Sequence, residues 1–357
     1  MESPKASDMM AAWTPVRKWL LLSFCAFFIP FYWLCHIATH NFYLSDINAT
    51  LLDKIYIVLA TGRLESAGFI YPPLPFLLLL PLHSLWWLGV CSAVVAAILG
   101  TIMARNMIQT GIDHRLLIFL MASVFFSPLF LRQIATNLPN ILSIIFLVLA
   151  VLNYREYLAS EKISYVFLSG ILLAGALLAT PSGMLLLTLF LVFNHLLKLS
   201  RPLSEVLSIN AVLAFPSIAI ILTWTYLSWL FTGSWAFSYR LWFPLLGLSW
   251  LWMIPIYWAV ALLLIDSPKQ LAIHVAPLAL LPFFPTLGFI DIGGTVIFLN
   301  IYALLNIPRK RLGRRGQWIL LAGLVLQIAG GLYQMRHPLI PLASEQTRTE
   351  FAVSQAL

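Results

Sequence analysis

Carboxylates are the residues of this chain with the most chemical potential, because they are scarce and most of the surrounding sequence is apolar. Four of them, Asp46, Asp53, Glu65 and Asp291, fall in short polar segments beside apolar runs, and three of these share the segment from His40 to Pro73. A carboxylate held at the edge of an apolar layer is a candidate general base, since partial desolvation raises its pKa toward neutrality. Asp46 is the first candidate for that role and Asp53 the second. His36 and His40 stand four residues apart and could face one cation from a helix. No third ligand accompanies them in the sequence, so no metal site is assigned. The three cysteines, Cys25, Cys35 and Cys91, lack metal-like spacing and give no disulfide framework.

The elements that must position these groups follow from composition. Of the 357 residues, 61% are hydrophobic and 10% charged, whereas a soluble domain carries about 25% charged residues. Apolar stretches recur along the whole length, and a bilayer crossing takes roughly 20 apolar residues as a helix. The expected fold is an all-α polytopic membrane protein with about eleven transmembrane helices, several of them shorter than that. The spans are placed near residues 19–39, 86–104, 116–131, 139–153, 164–179, 183–197, 206–231, 243–264, 271–286, 294–306 and 317–335. The apolar run after Arg17 and Lys18 is too long for a signal core and is read as a retained first span.

The net charge of +8 sits in short loops rather than on one stripe, which speaks for orientation and against nucleic-acid binding. With the amino terminus cytoplasmic, Arg105, Arg115, Arg155, Lys162, Lys198 and the Arg309–Arg315 cluster all fall inside, part of a total of 15 of the 21 basic residues on that side. That bias holds only if the proline-rich apolar segment from Pro72 to Leu85 does not cross, so it is read as re-entrant or interfacial. The organisation expected is a cytoplasmic segment 1–18, one membrane domain 19–336 with an external loop 40–85, and an external polar tail 337–357. Within the loop, Leu51, Leu52, Ile55, Val58 and Leu59 repeat at helical spacing, which predicts an amphipathic helix lying on the bilayer surface and ending at Gly62. Asp46 and Asn48 are placed before that helix, with Asn48 a candidate N-cap.

The order of a first span, Asp46, an amphipathic helix, then Gly68-Phe69-Ile70-Tyr71-Pro72-Pro73-Leu74 resembles the GT-C superfamily of multi-spanning glycosyltransferases that use polyprenyl-phosphate sugars. Asn137-Leu138-Pro139-Asn140, Asn153-Tyr154-Arg155, Ala179-Thr180-Pro181 and Phe231-Thr232-Gly233-Ser234 are similar to later motifs of the family. The resemblance covers roughly residues 19 to 240. It implies transfer of a sugar from a polyprenyl-phosphate donor to a glycan, lipid or protein acceptor at the external face, mannosyltransferase-like in type. It also implies Asp46 or Asp53 as base. Arginines would receive the departing phosphate, for which guanidinium is the better match; Arg63, Arg132 and Arg240 are the external candidates. Asn48, Glu65, Tyr71, Asn137, Asn140 and Tyr239 complete the expected substrate-binding set.

No cofactor is demanded, and a divalent metal ion is the one candidate. The chain departs from the family at Asn48, where a second acid could stand, and at Thr180, where a lysine is common. Those departures favour the alternative: a non-catalytic relative or transporter that binds lipid-linked sugars or organises partner enzymes. Absence of an internal repeat and of a charge deep in a span argues against ion-coupled transport. Short loops point to a bacterial inner membrane; the Asn48-Ala49-Thr50 sequon would matter only in a glycosylating cell.

Overall fold

The computed structural model describes residues 6–41, 44–63, 73–109, 112–180, 186–192, 202–233, 253–279, 292–308 and 312–336. They form α1 (Ala6–His40), α2 (Asp46–Thr61), α3 (Pro73–Leu79), α4 (Leu85–Ile108), α5 (His114–Phe125), α6 (Pro128–Thr136), α7 (Leu138–Ser160), α8 (Ile163–Ala179), α9 (186–192), α10 (Leu203–Thr232), α11 (Pro255–Leu263), α12 (Pro268–Ala279), α13 (Ile292–Leu305) and α14 (Arg314–Arg336). No strand occurs among the described residues.

Among the described residues, five helical stretches are long and apolar enough to cross a membrane: Lys18–His40, Leu85–Ile108, Leu138–Ser160, Leu203–Phe231 and Arg314–Tyr333. The expected span at 116–131 is not one straight helix. It is α5 and α6, bent by 49° at Phe126-Ser127, and counting the pair as one span gives six. The break is local chemistry: Pro128 has no N–H to continue the α5 ladder, and the Ser127 hydroxyl caps α6 by accepting from the Phe130 N–H. The expected spans at 164–179 and 294–306 appear as shorter apolar helices, Ile163–Ala179 and Gly293–Leu305. Those at 183–197, 243–264 and 271–286 lie partly outside the described residues. The first helix begins at Ala6, well before the expected start of its apolar run.

Close approaches give the helix directions. A Cβ on Gly89 would lie 3.3 Å from Cys35, and one on Gly100 would lie 2.8 Å from the Phe27 ring, so α1 and α4 run antiparallel. His40 and Leu85 therefore stand at the same end of the bundle, and the chain between them returns to the end it left. The apolar helix within it, Pro73–Leu82, is too short at about 1.5 Å per residue to cross a hydrocarbon layer roughly 30 Å thick. Helices α7 and α8 form an antiparallel hairpin, with Gly175 against Phe146 and the Ser169 hydroxyl donating to the Ala150 carbonyl. Helix α13 runs alongside α7 in the same direction: Gly294 abuts Asn140 near one end, and Arg155 donates to the Leu305 carbonyl near the other.

These directions sort charge along the bundle. Arg105, Arg115, Arg155, Lys162, Arg314 and Arg315 gather at one end, while the α1–α2 and α6–α7 junctions occupy the opposite end. Helices α4 and α7 are mostly buried and form the centre, whereas α1 is mostly uncovered and presents Trp19, Leu21, Leu22, Ile29 and Trp33 outward. An apolar outer surface of that extent suits lipid and not water.

Candidate functional site

The candidate site lies where α2 meets the α6–α7 junction. Helix α2 starts at Asp46, and its cap is Ser45, not Asn48: the Ser45 hydroxyl accepts from the Asn48 N–H and itself donates to the Thr136 carbonyl at the end of α6. Asn48 sits inside the first turn and is fully buried, and its Oδ1 accepts from the Leu138 N–H at 3.3 Å. The asparagine of an apparent sequon is thus part of the helix packing. Its Nδ2 has no hydrogen-bond partner.

On the other side, Asn137 ends α6 and caps α7. Its Oδ1 accepts from the Asn140 N–H at 3.2 Å. Asn140 in turn donates from Nδ2 to Gln133 Oε1 at 3.4 Å, and a Cβ on Gly294 would lie 3.3 Å from that nitrogen. Asn48, Asn137, Asn140, Gln133 and Thr136 are all buried. The two segments expected to share a site are therefore joined directly, by side-chain bonds spanning some ninety residues of sequence.

The apolar stripe of α2 was expected on the bilayer surface. Four of its five members, Leu51, Leu52, Ile55 and Val58, are instead buried against Phe76, Leu79, Leu88, Cys91 and Leu138, and Leu59 is exposed. The helix docks on protein because α3 and the start of α4 fold back beneath it. Gly62 ends it in the left-handed conformation at φ 65°, with its N–H on the Val58 carbonyl.

Asp53 lies on the exposed side of α2, where partial burial still pushes its carboxyl above the usual range. Burial likewise lowers the neighbouring Lys54 ammonium. Arg63 is exposed just past Gly62, at the far end of α2 from Ser45, roughly 25 Å away at 1.5 Å per residue. The structure does not bring Arg63 to the asparagine cluster. Arg132 is half-buried on α6, and its carbonyl accepts from the Thr136 hydroxyl. Asp46 is positioned by its backbone at the start of α2; its side chain, and Glu65, Tyr71, Tyr239, Arg240 and Asp291, lie outside the described residues.

Metal ligation finds no group of three or more His, Cys, Asp or Glu among the described residues. His36 and His40 are exposed with ring centroids 6.2 Å apart. Sequence reasoning missed Ser45, Gln133 and Thr136. Ser45 was findable, because a serine one residue before a helical apolar repeat is a strong N-cap signal.

What the junction can do chemically is hold a neutral, amide-rich floor under the first turn of α2, where Asp46 begins. No family model, no curated protein and no solved structure matches the chain.

Proposed function

We propose that the protein is a polytopic membrane glycosyltransferase of GT-C type, moving a sugar from a polyprenyl-phosphate donor to an acceptor at the end of the bundle where α2 meets α6 and α7. The observation that supports this reading is the direct bonding of the Asp46-bearing first turn to the Arg132–Asn140 segment through Ser45 and Asn48. In the proposed chain of events, Asp46 takes the proton of the acceptor hydroxyl as its oxygen attacks the anomeric carbon. The phosphate leaves with the bonding pair and is received by arginine, with Arg132 the nearest in sequence to the junction. Asp53, on the next turns of the same helix, is the reserve base.

The membrane arrangement belonging to this proposal has about eleven crossings, several of them shorter than the usual span of about 20 residues, with the amino terminus cytoplasmic and the carboxyl terminus external. The basic residues gathered at the opposite end of the bundle support that orientation by the positive-inside rule. The site then faces outward, in a bacterial inner membrane toward the periplasm.

A second reading is favoured by one observation. Asn48, standing where a second acid could be, is fully buried and engaged with the α7 backbone. Such a residue serves packing, and the protein would then bind lipid-linked sugar without transferring it. Purified protein in liposomes with radiolabelled polyprenyl-phosphate sugars and a panel of acceptors separates the two. Labelled product supports the enzyme; saturable donor binding with no product or hydrolysis supports the binding protein. Repeating the assay with a chelator settles the role of a divalent metal.

A further inference from the structure

On the outer surface of the bundle a groove of about 950 Å³ runs between α11 and α14. The two helices are antiparallel and in close contact: a Cβ on Gly323 would lie 2.7 Å from Ala259, and one on Gly316 would lie 3.4 Å from Leu263. Ala259, Ala322 and Gly323 keep the floor of the groove low, while the exposed side chains of Trp258, Leu262 and Tyr333 stand as its walls. No charged side chain lines it. On the α14 side, Ile319, Ala322, Leu326, Ala329 and Tyr333 repeat at spacings of three and four. One step further toward the basic end, the same stripe reaches Arg315, four residues before Ile319 and so on the same helix face. Arg315 is exposed, and among the described residues no ion pair or hydrogen bond engages its guanidinium. Asp266, at the turn after α11, is exposed and forms no ion pair with it, and Lys269 is exposed three residues on.

We infer that this groove holds an acyl chain of an anionic bilayer phospholipid with its phosphate at Arg315, independently of any sugar transfer. Two features select that occupant. From Ile319 to Tyr333 the groove extends about 21 Å at about 1.5 Å per residue, more than one leaflet of a hydrocarbon layer roughly 30 Å thick, so a chain fits along its full length. Charge complementarity selects the headgroup. A guanidinium at the end of an apolar track matches a phosphodiester at the end of an acyl chain, and basic side chains beside a membrane helix draw anionic lipid. Arg314 is one position, about 100° of helical turn, away from that stripe, which makes it an internal control.

Native mass spectrometry and lipid titration of the detergent-purified full chain test this, with phosphatidylglycerol and phosphatidylcholine of the same acyl chains. Phosphatidylglycerol should bind about fivefold tighter, the factor that one basic side chain near a membrane surface supplies. Arg315→Gln should abolish that preference, and Arg314→Gln should keep it. Ala322→Phe, at an exposed position that does not endanger folding, fills the floor of the groove and should weaken binding of both lipids severalfold with their ratio unchanged. Equal binding of the two lipids by wild type, equal losses in the two arginine variants, or unchanged affinity in Ala322→Phe would overturn the inference. Tighter binding of polyprenyl phosphate, lost in Arg315→Gln and Ala322→Phe, would also overturn it by giving the groove to that lipid.

Discussion

Asn48 carries the most exacting prediction. Its side chain is fully buried, its Oδ1 satisfies the Leu138 N–H at 3.3 Å, and its Nδ2 has no partner. Asn48→Ala leaves the first amide of α7 without an acceptor in a buried junction, a loss of about 1–3 kcal/mol. Asn48→Asp keeps an acceptor for that amide and forfeits nothing at the Nδ2 position. Its penalty is burial of charge, which raises the new carboxyl above the usual range. A group whose folded pKa is raised gives stability that is present at low pH and lost as pH rises through that value. Asn48→Asp should therefore be close to wild type only below about pH 4, where the unfolded carboxyl is protonated as well, and fall toward or below Asn48→Ala by about pH 8, while the Asn48→Ala deficit stays constant. Thermal unfolding in detergent, followed by tryptophan fluorescence across that pH range, reads both. Wild-type stability in Asn48→Ala, or a pH-independent Asn48→Asp, would refute the buried hydrogen bond as the link between α2 and α7.

Three further outcomes follow from named contacts. Ser45→Ala removes both the α2 cap and the bond to Thr136, and should lower stability by about 0.5–2 kcal/mol in the same unfolding assay. Gly170→Ala places a Cβ 2.5 Å from the Leu213 carbonyl oxygen. It should cost about 1–3 kcal/mol as α8 and α10 are pushed apart, whereas Gly313→Ala, with open space around it, should not destabilise. Asp53 has a raised carboxyl pKa through desolvation, so wild-type stability declines as pH rises through that pKa. Asp53→Asn should match wild type at acid pH and exceed it slightly above the carboxyl range.

Much of the local architecture was legible. The repeat of Leu51, Leu52, Ile55 and Val58 with Gly62 at its end was enough for α2, because an amphipathic stripe and a left-handed glycine stop are local signals. What covers that stripe was not legible: an apolar face looks the same whether lipid or α3 and α4 pack on it. Asn48 was misplaced for a related reason. In sequence it resembles a surface cap or sequon, and only the distant Leu138 amide explains a buried asparagine. The break at Ser127-Pro128 was written in the proline, yet hydropathy averages across it and reads one span. Within the site, pairing of the α2 start with the Asn137–Asn140 segment was anticipated, while Arg63, chosen as an external arginine, stands at the far end of α2 from it.

The central claim is that Asp46, held by this junction, is the base of a sugar transfer. The most direct measurement is the initial rate of labelled-sugar transfer from polyprenyl phosphate by purified Asp46→Asn beside wild type, with unfolding midpoints recorded for both. Loss of a positioned general base should slow transfer by about 10²–10⁴-fold while the midpoint stays within a degree or so, since the α2 cap is Ser45. Full transfer by Asp46→Asn would contradict the account.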